Sequence, residues 1–341
     1  MRLIGSLLRN AFRSRIERLI LYVTTRCPLN CRHCFVDKTS PIDRELTVDE
    51  ARSIAATLNP LTWLDIGGGE PFLREDIEEI CSHFKAVEIS IPTNGWFVEQ
   101  TLESARRLHR SLGDRLSIAV SLDGFGPTHD RLRGQGSFER AMKTLEGLQG
   151  INGLRVSVIS TVSQINYREL PDLVALLRQK GLFSHGINIL RGQTADEELR
   201  LPERTDLEWF LGTISETMTA KDYRWKGPLG PLFSRLHNRY VRRKWSVVLA
   251  TLESRRQIIP CRAGRNDLVI YANGDVAPCE MRPAVGNIRR QSLTGILSGP
   301  EMATALAGIC GGECSCTHEC NLLDSTLFST RSFVHMIAGR K

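Results

Sequence analysis

Three cysteines sit within one short stretch, Cys27-Pro28-Leu29-Asn30-Cys31-Arg32-His33-Cys34. Thiolates spaced C-x3-C-x2-C on a single loop can converge on one point. They leave a tetrahedral centre one protein ligand short. A structural zinc site would want a fourth Cys or His. A [4Fe–4S] cluster normally takes four thiolates, and with three it keeps one iron open. His33 lies between two of the cysteines, where reaching the same ion is awkward. A second chemical stretch is Gly67-Gly68-Gly69-Glu70-Pro71-Phe72. Its glycines let a ligand approach the backbone with no side chain in the way, and the adjoining carboxylate can accept hydrogen bonds from an ammonium group. A third is cysteine-rich: Cys261 and Cys279, then Cys310, Cys314, Cys316 and Cys320 crowded together.

The elements that must position these residues follow a regular alternation. Short β-like runs fall at 19–25, 61–67, 87–92, 116–122, 154–161 and 185–190, with helical patterns between them at about 47–58, 74–84, 98–112, 137–149 and 167–180. Thr47 and Glu50 form a Thr-x-x-Glu capping box at one helix start. Six β–α repeats predict an α/β fold, a parallel sheet with helices outside. Active sites of such folds gather at the strands' C-terminal ends, where the unusual residues fall. Ser121 and Asp123, two apart at the end of the fourth run, are expected to point the same way. Residues 203–219 read as a further helix, and residues 232–255 as another. Asn273-Gly274 between apolar alternations predicts a two-residue hairpin that brings Cys261 and Cys279 together at its open end. Residues 3–20 carry apolar positions at steps of three and four, one face of a basic amphipathic helix.

The cysteine spacing resembles the signature of the radical S-adenosylmethionine (radical SAM) family, which follows the first strand of a partial barrel. The resemblance covers roughly residues 19–325. It implies a partial (β/α)6 TIM-like barrel with a small Cys-rich α+β C-terminal domain. Cys27, Cys31 and Cys34 would hold a [4Fe–4S] cluster whose open iron chelates S-adenosylmethionine. One electron would then release a 5′-deoxyadenosyl radical, which abstracts hydrogen from a substrate carbon. Family members usually carry an aromatic where His33 stands. Gly68, Gly69 and Glu70 resemble the family's GGEP motif, which holds the ligand's amino group. Thr93-Asn94-Gly95 is similar to its TNG. Ser121-Leu122-Asp123-Gly124 is similar to the S-x-D-G found where the ribose and carboxylate bind, implicating Ser121 and Asp123. His129-Asp130-Arg131-Leu132-Arg133-Gly134 is similar to H-D-x-x-R-G, which makes Arg133 a bidentate partner for the ligand's carboxylate. Val158, Ile159 and Asn188 would flank the adenine.

The C-terminal cysteines, the Asn-Gly-Asp-Val-Ala-Pro-Cys turn and Gly286–Leu297 resemble the SPASM/twitch extension of radical SAM enzymes. The resemblance implies one auxiliary [4Fe–4S] cluster on Cys261, Cys279, Cys316 and Cys320, with Cys314 as a substitute. Zinc is the alternative for these thiolates. Glu280, directly after Cys279, stands where related dehydrogenases place an acidic general base. The implied divisions are 1–18 for the basic helix, 19–220 for the barrel, 221–256 for a basic linker and helix, and 257–341 for the auxiliary domain.

The chain has 341 residues and a net charge of +7, with basic residues concentrated in 1–20 and 224–256. No general nucleic-acid coat is implied, so nucleic acid is not an expected partner. The expected substrate is a small anionic or sugar- or nucleoside-type metabolite, phosphorylated or lipid-linked. The basic N-terminal helix leaves peripheral membrane contact open. A reduced flavodoxin- or ferredoxin-type protein is the expected electron donor. The absence of a signal peptide or an 18-residue apolar run points to the cytoplasm. There, clustered cysteines read as cluster ligands rather than disulfides. Two rival readings are a maturase of a ribosomal peptide and a non-catalytic iron–sulfur carrier or sensor. The latter leaves Gly67–Pro71 and Ser121–Gly124 at successive strand ends without a purpose.

Overall fold

In the β-like runs apolar and small residues alternate, and in three dimensions the runs lie side by side. The computed structural model describes residues 15–36, 45–190, 196, 198–218, 230–317, 322 and 325–326. Six parallel strands, β1 (Arg18–Tyr22), β2 (Leu61–Gly67), β3 (Ala86–Thr93), β4 (Leu116–Ser121), β5 (Arg155–Val162) and β6 (His185–Ile189), pair in sequential order. The helices between them are α1 (Val48–Leu58), α2 (Ile77–Ser82), α3 (Val98–Leu112), α4 (Gly126–Arg133), α5 (Ser137–Gln149) and α6 (Leu170–Gln179). The expected (β/α)6 barrel is the one observed. Residues on the outer face of the strands, including Leu19, Leu21, Leu64, Ile89, Ile91, Ile118 and Val120, are fully buried under these helices. Burying each such side chain contributes about 1.5–3 kcal/mol. That outer layer is the core; the inward positions of the same strands face the functional cavity. The capping box forms as expected, with the Thr47 hydroxyl accepting from Glu50 N at 3.2 Å and Glu50 accepting from Thr47 N at 2.9 Å.

After β6 come α7 (Arg204–Met218) and α8 (Gly230–Ser254), then a hairpin of β7 (Asp267–Ile270) and β8 (Asp275–Ala277), a short β9 (Gly286–Asn287), and helices α9 (Leu293–Ser298) and α10 (Pro300–Gly311). The hairpin is not set apart from the barrel. Strand β7 pairs in parallel with β1, so one nine-stranded sheet runs β6-β5-β4-β3-β2-β1-β7-β8-β9. The expected division at 257 is therefore bridged by backbone hydrogen bonds, and Cys279, directly after β8, is held beside the barrel mouth that Glu280 lines.

Four local expectations change. The helix read over 3–20 falls mostly outside the described residues, and its end is strand instead, from Arg18. There the pairing of β1 with both β2 and β7 outweighs helical periodicity. The hairpin loop has three residues rather than two. Tyr271 N donates to Asp275 O and Gly274 N to Tyr271 O, with Gly274 at φ 86°. This is a turn closed by a left-handed glycine, the common three-residue alternative. Residues 126–133, read only as a motif, form α4. Strand β4 ends at Ser121, so Asp123 lies beyond it and does not share Ser121's direction.

Candidate functional site

The cysteine loop is docked between the glycine turn and the end of α4. Gly69 N donates to Thr24 O and Glu70 N to Arg26 O, each at 2.8 Å, while Arg32 N donates to Leu132 O at 2.9 Å. A Cβ on Gly68 would drive into the Thr24 carbonyl, and one on Gly69 into the Arg26 carbonyl. The side-chain-free space at these two positions is thus taken by the backbone that leads into Cys27. Their first task is to let the cysteine loop approach; room for a ligand is secondary.

Cys27, Cys31 and Cys34 line one cavity of about 490 Å³ at the C-terminal ends of the strands, together with Gly68, Gly69, Glu70, Ser121, Arg133, Asn188 and Glu280. Glu70 is buried. It accepts from Phe72 N at 3.2 Å and Asn94 N at 2.8 Å, tying the glycine turn to the end of β3. Burial pushes its carboxyl up to about 7, against the pull of those N–H groups. Asn94 in turn donates from Nδ2 toward Cys27 Sγ at 3.5 Å. Burial raises the Cys31 thiol; Arg133 lowers it, and Cys34, Asp123 and Cys27 raise it further.

Asp123 does not line the cavity. It is fully buried behind it, with Oδ2 on Arg133 Nε at 2.6 Å and Oδ1 accepting from Thr161 N at 2.7 Å. Burial alone would raise its carboxyl, but Arg133 and nearby histidines hold it down to about 2. Its reading as a direct ligand contact is corrected: it orients Arg133, whose guanidinium reaches the cavity. His33 Nε2 lies 3.4 Å from the same carboxylate, which turns the ring away from ligation beside the cysteines. Burial lowers His33 to about 4, so it is neutral at physiological pH.

Glu280 reaches the cavity from the hairpin side, where it accepts a hydrogen bond from the Tyr22 hydroxyl. The Tyr22 ring lies 5.1 Å from that of Tyr271. Tyr22 and Asp65 are cavity residues that the sequence reading did not single out, whereas Asn94 belongs to the Thr93-Asn94-Gly95 motif. The available signal was alternation: Ile20 and Tyr22 in β1, and Asp65 and Gly67 in β2, share the inward face.

Of the second group, Cys261, Cys279 and Cys314 pack around Ala263 and Ile309, and Cys316 N donates to Gln257 Oε1 at 3.1 Å. Burial pushes Cys261 up to about 12 and Cys279 up to about 11, and neighbouring thiols add to both. Thiolates crowded this way are stabilised by the positive charge of a metal centre. Cys320 lies outside the described residues. Cys310 is exposed beside Arg265, and Cys81 is buried in the core. Among the described residues, no group of three or more His, Cys, Asp or Glu is gathered tightly enough for a single metal ion. A four-iron cluster gives each thiolate its own iron and can take thiolates that reach it from separate points of the chain.

Two family models match the chain: the radical SAM superfamily over residues 21–177 and an iron–sulfur cluster-binding domain, SPASM, over residues 261–321. An AdoMet-dependent heme synthase of Methanosarcina barkeri is 29% identical over 318 residues, covering 86% of this chain and 88% of the relative. The mycofactocin maturase MftC of Mycobacterium tuberculosis is 28% identical, covering 87% and 76%. In fold, the chain resembles Streptococcus suis SuiB bound to its precursor peptide SuiA, with TM-score 0.64, 17% identity, and coverage of 90% and 70%.

Proposed function

We infer the reaction from the family: the chain is a radical SAM enzyme carrying a C-terminal SPASM iron–sulfur domain. Its cofactors are a SAM-binding [4Fe–4S] cluster, S-adenosylmethionine and an auxiliary iron–sulfur cluster. When bound, they supply an electron and a 5′-deoxyadenosyl radical able to take hydrogen from an unactivated carbon. Cys27, Cys31 and Cys34 hold the first cluster. Glu70 binds the amino group of S-adenosylmethionine, and Arg133, oriented by Asp123, binds its carboxylate. Ser121 and Asn188 line the remaining wall. Cys261, Cys279 and Cys316, with Cys320 or Cys314, hold the auxiliary cluster. Glu280, oriented by Tyr22, takes the proton that a substrate carbon sheds as it is oxidised. The observation that carries this reading is the convergence of the three cysteines, the glycine turn and Glu280 on one cavity.

The substrate is a small uncharged polar molecule of sugar or nucleoside type. Arg133 is taken by Asp123 and the carboxylate of S-adenosylmethionine, and Arg18 by Asp65 and Asp267, so neither is offered to an anionic substrate. A ribosomal peptide is the second reading, favoured by the likeness to the mycofactocin maturase; tight binding of a leader peptide would select it. A reduced flavodoxin- or ferredoxin-type protein supplies the electron. Among the described residues, no helix is long and apolar enough to cross a membrane.

The test is iron content and low-temperature EPR of anaerobically reconstituted protein, with and without S-adenosylmethionine. Wild type is expected to hold about 8 iron atoms and a Cys27/Cys31/Cys34→Ala variant about 4, with a ligand-dependent spectral shift in wild type alone. No shift in wild type would overturn the assignment.

A further inference from the structure

The second cysteine group lies at the surface. Cys261, Cys314 and Cys316 are each partly exposed, and Cys279 is buried. The segment that reaches the group from α8 is strongly basic: residues 254–266 hold four arginines and no acidic residue. Arg255, Arg256 and Arg265 are exposed. Glu253 lies on Arg204, Glu313 on Arg282, and the buried Asp267 faces Arg18, so no acidic side chain matches these three charges among the described residues. Gln257, next to Arg256, accepts from Cys316 N at 3.1 Å, and Arg265 Nη2 donates to Cys310 Sγ at 3.4 Å, which ties the basic segment to the cysteines. Two apolar side chains flank the same cysteines, Ile258 at 38% exposure and Met281 at 43%. Arg255 directly follows α8 with φ 51°, the left-handed region in which helices usually end on glycine. A side chain is strained there, and this one is exposed, so no burial offsets the strain.

The arginines of the first cysteine loop are matched instead, Arg26 with Glu45 at 3.5 Å and Arg32 with Asp196 and Glu198. A negatively charged protein is therefore drawn to the second cysteine group and not to the barrel mouth. We propose that this face is the docking surface of an acidic one-electron carrier protein, which exchanges an electron with the auxiliary cluster. Exposed methionine and isoleucine give the contact an apolar centre, and the arginines give it a charged rim. Electron-transfer encounters are small and lean on such charge complementarity. One electron crosses, so one partner is oxidised and the other reduced, and no atom moves. Nucleic acid would answer the same charge, but it makes no use of the exposed apolar side chains or of the cluster beneath them. The surface rests on the radical SAM reading above, which supplies both the auxiliary cluster and the need for a carrier.

The test uses the full chain, reconstituted anaerobically with both clusters. A flavodoxin and a plant-type ferredoxin, both acidic, serve as probes. Cytochrome c, a basic one-electron carrier, and a short duplex DNA serve as counter-probes, with binding followed by surface plasmon resonance. Both acidic carriers are expected to bind, about tenfold more weakly as salt rises from about 50 to about 300 mM, and cytochrome c is not. Arg255→Glu/Arg256→Glu is expected to weaken carrier binding about tenfold or more. Arg235→Glu/Arg242→Glu makes the same change of charge on exposed residues of α8, about 20 Å or more away along the helix, and is expected to leave binding as in wild type. Should the reversal disturb the fold, the milder Arg255→Gln/Arg256→Gln is expected to weaken binding about threefold at wild-type iron content. In Cys27/Cys31/Cys34→Ala protein, which keeps the auxiliary cluster alone, reduced flavodoxin is expected to bleach the cluster's absorption, about tenfold more slowly once Arg255 and Arg256 are reversed. Undiminished carrier binding after the reversal, an equal loss in the α8 control, preference for cytochrome c or DNA, or no bleaching would overturn the surface. The S-adenosylmethionine-dependent EPR shift of wild type reports separately on the enzyme reading: its absence sinks that reading, and its presence with failed carrier tests sinks the surface alone.

Discussion

Replacing Asp123 by Asn tests whether the wall behind the cysteines is an electrostatic frame. Asp123 is fully buried and accepts from Arg133 and Thr161 N. Removing one member of a buried pair costs about 3–5 kcal/mol, because the other charge is left without its counterion. Asparagine keeps one acceptor, so the lower end, about 3 kcal/mol, is expected. The pH dependence gives a second route to the same interaction. The folded carboxyl is held down to about 2, against 3.8 ordinarily. A depressed acid contributes stability that is fully present above its unfolded value and is lost as pH falls through the folded one. The difference corresponds to about 2 kcal/mol, lost between about pH 4 and pH 2. Denaturant titrations of cluster-free protein at pH 7, 4 and 2 measure both quantities. Wild type should lose stability more steeply than Asp123→Asn over that acid window, and the variant should start about 3 kcal/mol lower at pH 7. A variant within 1 kcal/mol of wild type at pH 7, with the same acid slope, would refute the frame.

Further expectations concern the cavity's other residues. Gly69→Ala should prevent the cysteine loop from seating, because the added methyl meets the Arg26 carbonyl; iron in the reconstituted protein should fall by about 4 atoms per chain while auxiliary-cluster signals persist. Binding of S-adenosylmethionine should strengthen as pH rises from 6 to 8. Burial pushes Glu70 up to about 7, and an ammonium group binds the ionised form, so the slope should vanish in Glu70→Gln together with about a tenfold loss of affinity measured by equilibrium dialysis. Glu280→Gln should leave uncoupled release of 5′-deoxyadenosine in place and lower product formation by 10²-fold or more, whereas Tyr22→Phe should lower it less and shift its pH profile. Product formation by Glu280→Gln at the wild-type rate would remove Glu280 from the chemistry.

The barrel was legible because its signals are local. Strand alternation, the Thr47 cap and the cysteine spacing each occupy a few consecutive residues and need no distant partner. The readings that changed depend on pairing across the chain. Residues 16–20 satisfy a helical face as well as a strand, and only β2 and β7 on either side decide between them. Gly68 and Gly69 are marked as permissive by type alone, but what occupies the space is the backbone of residues 24–26, more than forty positions earlier.

Asp123 and Asp65 show why the same residue type reads so differently. Asp123 belongs to a motif, yet it is turned behind the wall because β4 stops at Ser121 and the chain bends there. Asp65 belongs to no motif, yet the strand's alternation carries it to the cavity wall, level with Ile20 on β1 and Ser90 on β3. A motif reports which cofactor a fold has been shaped around. The substrate is reported instead by inward positions where bulk is missing, and these become visible only when the strands are set side by side in register.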